Sequence, residues 1–173
     1  ATLTGGSGAV AVLLTDASLS RFKRRRLLGG AARSAPSHHE LCRWGVEPAG
    51  PEFPGLLRAF TSTDSAAVLS HGVDLGVKTW QAFLGGLGWI REKVDRVICH
   101  QVGGSHRDAI LRSIGVPVEK DFSTFAYLGN MGTVALPMTA AIAEDRGVLS
   151  PGDRTAFLGI GSGLNCLMLG LEW

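Results

Sequence analysis

Short apolar, β-rich runs alternate with longer helical stretches along this chain, and that alternation constrains its fold more than any other feature. Gly8 to Thr15, "GAVAVLLT", is bounded by Gly5-Gly6 and by Asp16, and it reads as a buried strand. A second strand is expected within Ser20 to Ala32. Pro36 to Phe60 mixes prolines, glycines and both charges without period, so it reads as a loop long enough to serve a function or an interface. Asp64 is placed to N-cap a helix from Ser65 to near Trp89. The apolar residues of that helix, among them Val68, Val73, Leu75, Trp80 and Phe83, spread around most of its circumference, which predicts burial on more than one side.

Arg96 to Cys99 is the next strand, and Gly103-Gly104-Ser105 opens a helix over His106 to Ile114 that Gly115 and Pro117 close. Asp121 to Phe125 reads as a short strand. Gly132 to Arg146 is a helix apolar nearly all round; Pro137 predicts a kink or a late start, and Gly147 a stop. Pro151-Gly152-Asp153 turns the chain into a strand at Thr155 to Leu158, and Gly159-Ile160-Gly161-Ser162-Gly163 separates this from a final strand, Cys166 to Leu171. The order β-β-α-β-α-β-α-β-β predicts an α/β fold, a mixed five-stranded sheet with helices packed on it.

The 173 residues suffice for one domain with its own core. Apolar residues make up 45%, charged residues only 18%, and mean hydropathy is +0.19, which predicts that part of the surface is buried against another domain or subunit. A net charge of +2 does not suit a nucleic-acid binder. The one basic run, Arg21 to Arg26, reads as a solvated face, with a phosphate or carrier-protein contact as the alternative. Three cysteines, Cys42, Cys99 and Cys166, show neither a CxxC nor zinc spacing, so no metal site is expected and reduced thiols in cytoplasm fit. Neither a membrane span nor a signal peptide is visible. The chain begins Ala1-Thr2-Leu3 without Met, which suggests a piece of a longer polypeptide.

Three polar residues stand beside glycines where apolar elements end or begin. His100 closes "VICHQVGG", Asn130 sits in "YLGNMGT", and Ser162 sits in "GIGSG". Each has a plain structural reading: a hydrogen-bonded core histidine, a left-handed or capping asparagine, a hairpin turn. The glycine loop lacks the following helix that a dinucleotide fingerprint needs. It suits instead a turn whose backbone N–H groups face a ligand. A histidine and an asparagine together can give two N–H bonds to one oxygen and so stabilise a thioester enolate.

These stretches resemble the C-terminal half of a thiolase-fold condensing enzyme of the ketoacyl-ACP synthase III kind. "GSGAV" is similar to that family's re-entry strand, "ICHQVGG" to its histidine motif, "YLGNMGTVALP" to its asparagine motif, and "PGDRTAFLGIGSGLNCLMLGLEW" to its closing hairpin. Within the family, "FSTFAYLGNMGTVALPMTAA" and "LGIGSGLNCLMLGLEW" look closest to OleA-type enzymes, which join two long-chain acyl-CoAs head to head in olefin biosynthesis. The resemblance implies one thiolase-like half over residues 1–173, packed against an N-terminal half that carries the nucleophilic cysteine, in a cytoplasmic homodimer. It implies no cofactor, acyl-CoA or acyl carrier protein as partner, and a Claisen condensation. His100 and Asn130 would hold the enolate; the backbone N–H of Ser162 would serve the other oxyanion hole, with Gly161 and Gly163 lining the substrate. The family's usual loop has three consecutive glycines, and Ser162 replaces the middle one. Gly103 and Ser105 stand where the family often has Asn and Arg, which favours CoA over carrier-protein substrates. Arg107 is a candidate phosphate or pantetheine contact, a surface arginine being the alternative. Malonyl-dependent synthase III chemistry and a non-catalytic scaffold half are the other readings.

Overall fold

A computed structural model describes residues 4–19 and 25–173 of the chain. The start of the expected second strand and most of the basic run lie outside the described residues. The elements are β1 (Arg26–Ser34), β2 (Cys42–Pro48), β3 (Leu57–Thr63), α1 (Ser65–Leu87), β4 (Arg96–Cys99), α2 (Gly104–Ile114), α3 (Phe125–Leu128), α4 (Ala135–Asp145), β5 (Arg154–Gly161) and β6 (Asn165–Glu172).

Four strands form one mixed sheet in the order β1-β6-β5-β4. β4 and β5 run parallel, and β5–β6 and β6–β1 pair antiparallel. The two-residue period of the strands splits the core. Val97, Cys99, Ala156, Leu158, Cys166 and Met168 pack toward α1 and α2 on one face. Ile98, with Phe157 and Trp173, packs toward Ala140 and Ala143 of α4 on the other. A helix layer on each face of a largely buried sheet is the α/β arrangement that the element order predicts.

Three expectations need correction. Gly8–Thr15 is not a strand. It runs without sheet pairing and leaves Val12, Leu13 and Leu14 exposed at 67%, 87% and 76%. An apolar run becomes a strand only where another strand offers its unpaired backbone groups, and none of the described strands lies beside this one. Among the described residues the sheet has four strands rather than five. Pro36 to Phe60 is not a plain loop, because Cys42–Pro48 and Leu57–Thr63 pair into a separate antiparallel ribbon. Trp44 and Val46 share one face of this ribbon with Ala59, and both are exposed, at 68% and 64%, so that face buries no apolar core. Asp121 makes only a single bridge to Val97, and the segment then turns into α3 rather than a strand.

The helices follow their end signals. Asp64 Oδ1 accepts the Ala67 N–H at 2.9 Å, and Gly88 closes α1 in the left-handed region at φ 63°. Its fully buried residues, Leu75, Thr79, Trp80 and Phe83 among them, lie on one broad face against β1, β6 and α2, and Leu69 and Val73 are half-buried. Replacing Asp64 with alanine is expected to destabilise the protein by about 1 kcal/mol, measured as a lower urea midpoint with an unchanged slope. Pro137 falls in the first turn of α4 after a 3-10 turn at Gly132–Val134, which is the late start rather than the kink.

Candidate active site

His100 follows the last residue of β4, and its backbone N–H donates to Leu158 O at 2.9 Å. Pairing with β5 thus extends to the histidine and sets it at the carboxyl end of a parallel strand, where α/β sheets collect ligands. His100 borders a cavity of about 30 Å³ with Cys99, His106, Leu158 and Cys166. Burial, and to a lesser degree the neighbouring His106, hold the His100 pKa below its ordinary 6.5. The ring is therefore neutral at pH 7, with one nitrogen to donate and one to accept. His106, also kept below its ordinary value by burial, is a second imidazole of this cavity that the sequence reading did not single out.

Strand alternation predicts that Cys99 and His100 face opposite ways, yet both border the cavity. His100 lies one residue beyond the strand and is released from its period. The neighbouring thiol is still no nucleophile. Burial first, then the Asp121 carboxylate, push Cys99 well above the usual thiol range, and burial raises Cys166.

Asn130 stands between α3 and the 3-10 turn that leads into α4. Its Oδ1 accepts the Gly132 N–H at 2.9 Å. This sets the amide's orientation: the oxygen is engaged by the backbone, and the NH2 end lies on the other side of the side chain. Its own backbone is gripped on both sides, donating to Thr4 O at 2.7 Å and accepting from Gly6 N–H at 2.9 Å. That close pass requires glycine. A Cβ on Gly6 would strike the Leu128 carbonyl, and one on Gly129, at φ +67°, the Thr4 carbonyl.

Ser162 is at the tip of the β5–β6 hairpin, whose last strand pair is Gly161 with Asn165. Asn165 Nδ2 donates to Ser162 O at 2.8 Å, and Leu164 and Ala35 exchange both backbone hydrogen bonds at 2.8 and 3.1 Å. The loop is thereby fixed in shape. Gly159 and Ile160 border the His100 cavity, whereas Ser162 and Gly163 border a separate open groove of about 320 Å³ beside Arg43, Trp44 and Phe60. Asn130 and Gly161 border neither space.

Arg107 is not a free cation. Its Nε lies 3.0 Å from Oδ2 of Asp121, whose side chain is fully buried, although the two are off the line a hydrogen bond needs. Asp121 Oδ1 accepts the Cys99 N–H at 3.0 Å. The pair ties α2 to the end of β4 and engages Arg107 Nε in a structural ion pair.

The sequence profile of the 3-oxoacyl-acyl-carrier-protein (ACP) synthase III C terminal family matches residues 84–173. An acyl-CoA:acyl-CoA alkyltransferase of Shewanella oneidensis is 54% identical over 175 residues, which span 100% of this chain and 49% of that protein. A beta-ketoacyl-acyl-carrier-protein synthase III of Streptomyces coelicolor is 31% identical over 134 residues, 74% of this chain and 40% of that one. Among solved structures, a Xanthomonas campestris OleA variant with bound lauric acid and lauroyl-CoA superimposes with a TM-score of 0.73 at 35% identity, covering 86% of this chain and 41% of that one. The chain spans about half the length of the curated relatives it matches.

Proposed function

Because this chain belongs to the 3-oxoacyl-ACP synthase III C-terminal family, we propose that it is the C-terminal half of an acyl-CoA condensing enzyme of the alkyltransferase kind. The reaction is a Claisen condensation in two stages. A cysteine thiolate of the N-terminal half attacks one acyl-CoA, and CoA thiol leaves, giving an acyl-cysteine. A base outside this chain then removes an α-proton from the second acyl-CoA. The enolate's carbon attacks the acyl-cysteine carbonyl, the carbon–sulfur bond breaks, and a β-ketoacyl-CoA results.

The roles of this chain's residues follow from their states. His100 is neutral, so it offers an N–H without adding a full charge, and Asn130 offers the NH2 that its backbone contact leaves available. Together they would hold the enolate oxygen, where negative charge develops. The Ser162 N–H, on a loop of fixed shape, would hold the oxygen of the acyl-cysteine. Metal-free, cofactor-free chemistry, a homodimer in the cytoplasm and a place in olefin biosynthesis complete the reading. The exposed Val12, Leu13 and Leu14 support an N-terminal half packed on this one.

The observation that carries this reading over malonyl-dependent synthesis is the 54% identity, across the whole chain, to an acyl-CoA:acyl-CoA alkyltransferase. The test is product analysis with the full-length enzyme. Acyl-CoA alone is expected to yield a β-keto product. Product only when a malonyl thioester is supplied would favour the synthase III reaction, and absence of any acyl-cysteine would favour a scaffold.

A further inference from the structure

Gln101, beside His100, is 3% exposed and is the most heavily engaged polar side chain near the site. Its Oε1 accepts three donors: Ser123 Oγ–H at 2.7 Å, Thr124 N–H at 3.2 Å and Phe125 N–H at 3.0 Å. Its Nε2 donates back to the Cys99 carbonyl at 2.5 Å. We propose that Gln101 is a positioning residue: one buried carboxamide locks the His100 turn to the segment that ends in Asn130, and so sets the geometry of the two enolate donors. This rests on the condensing function proposed above.

The chain of contacts is short. Thr124 is the residue before α3, and α3 is capped by Gly129, next to Asn130. The Thr124 hydroxyl meets that of Thr139 on α4 at 2.7 Å, both side chains fully buried. The start of α3 is therefore fixed to α4 on one side and to Gln101 on the other. Further ties between the two segments, among them Asp121 Oδ1 to the Cys99 N–H and the Phe122 N–H to Val97 O, act within or before the strand. Gln101 acts past its end, where His100 has left the sheet's period. Its bonds run inward to protein, so it works through its neighbours rather than on substrate. A buried acceptor serving three donors is costly to remove: the Ser123 hydroxyl and the Thr124 N–H lose it, and the Phe125 N–H keeps only its longer bond to Ser123 Oγ at 3.3 Å.

The test uses the full-length enzyme with Gln101→Met and Gln101→Glu. In Gln101→Met, acyl-cysteine formation is expected to stay near wild type while condensation falls about tenfold or more. Glutamate keeps an oxygen for the three donors, but its second oxygen meets the Cys99 carbonyl and fits only when protonated. Condensation by Gln101→Glu is therefore expected to recover toward acidic pH relative to wild type, and that of Gln101→Met is not. Hydrogen exchange at the Thr124 and Phe125 amides, read without substrate, is expected to quicken in Gln101→Met. Condensation equal to wild type in Gln101→Met, an equal fall of both half-reactions in both variants, or unchanged exchange at those amides would overturn the proposal. A wild-type enzyme that makes acyl-cysteine but no condensation product would instead fail the activity reading, with the exchange arm still deciding whether Gln101 locks the two segments.

Discussion

Replacing His100 or Asn130 with alanine is expected to slow carbon–carbon bond formation by about 10²–10³-fold, while acylation of the cysteine proceeds nearly as before. The enolate oxygen carries negative charge only in the second half-reaction, so donors aimed at it are needed only there. In the proposed mechanism both side chains act as N–H donors. His100 is neutral because burial disfavours its charged form, and the Asn130 oxygen is held by the Gly132 N–H. Neither is a core-filling group, and both are partly exposed, so thermal unfolding should change little. Single-turnover acylation and product formation, measured separately, check the split. Wild-type condensation by either variant would remove both residues from the mechanism. Because protonation of His100 is pushed below its ordinary range, the condensation rate should also hold as pH falls toward 6.5 and drop only below it.

The second large effect is expected in stability, at Asp121. Burial raises its carboxyl from 3.8 to about 6, outweighing the lowering contacts from the Cys99 N–H and Arg107. The folded protein thus holds this proton over a pH range where the unfolded chain releases it. Below about pH 4 the carboxyl is neutral in both states and burial carries no charge penalty. Between that point and about pH 6, stability falls as pH rises, and above it the full penalty remains. The span corresponds to about 3 kcal/mol. Asp121→Asn is expected to remove this slope from the stability–pH curve. The difference between wild-type and variant denaturation midpoints should grow from pH 4 to pH 6 and then level off. A difference that is flat across that window would show that the Arg107 pair compensates the burial.

The legible parts of the molecule are those governed by neighbours in sequence. The Asp64 cap, the Gly115 stop, β4 and the closing hairpin each depend on a few adjacent residues, and each stands where the pattern puts it. His100, Asn130 and Ser162 could be singled out as candidates for the same reason: polar residues beside glycines at element ends are visible without coordinates. Gln101 was not found, although it is the next residue after His100. A glutamine at a strand end carries no signal until the three donors of Ser123, Thr124 and Phe125 are brought to it from 22 to 24 positions away. The ion pair of Arg107 was not legible for a similar reason, because its partner Asp121 is remote in sequence and buried.

The amino-acid order alone determined the α/β class, the helix ends, the family motifs and the residue types offered to chemistry. These depend on local backbone preference and on the two- and 3.6-residue periods, which any short window contains. Tertiary structure alone decided that "GAVAVLLT" is left outside the sheet, that Cys99 is an inert thiol beside His100, and that Asn130 presents its NH2 end. Strand pairing, burial and hydrogen-bond partners are long-range quantities. They are set by what the folded chain places beside a residue, and no local pattern encodes that.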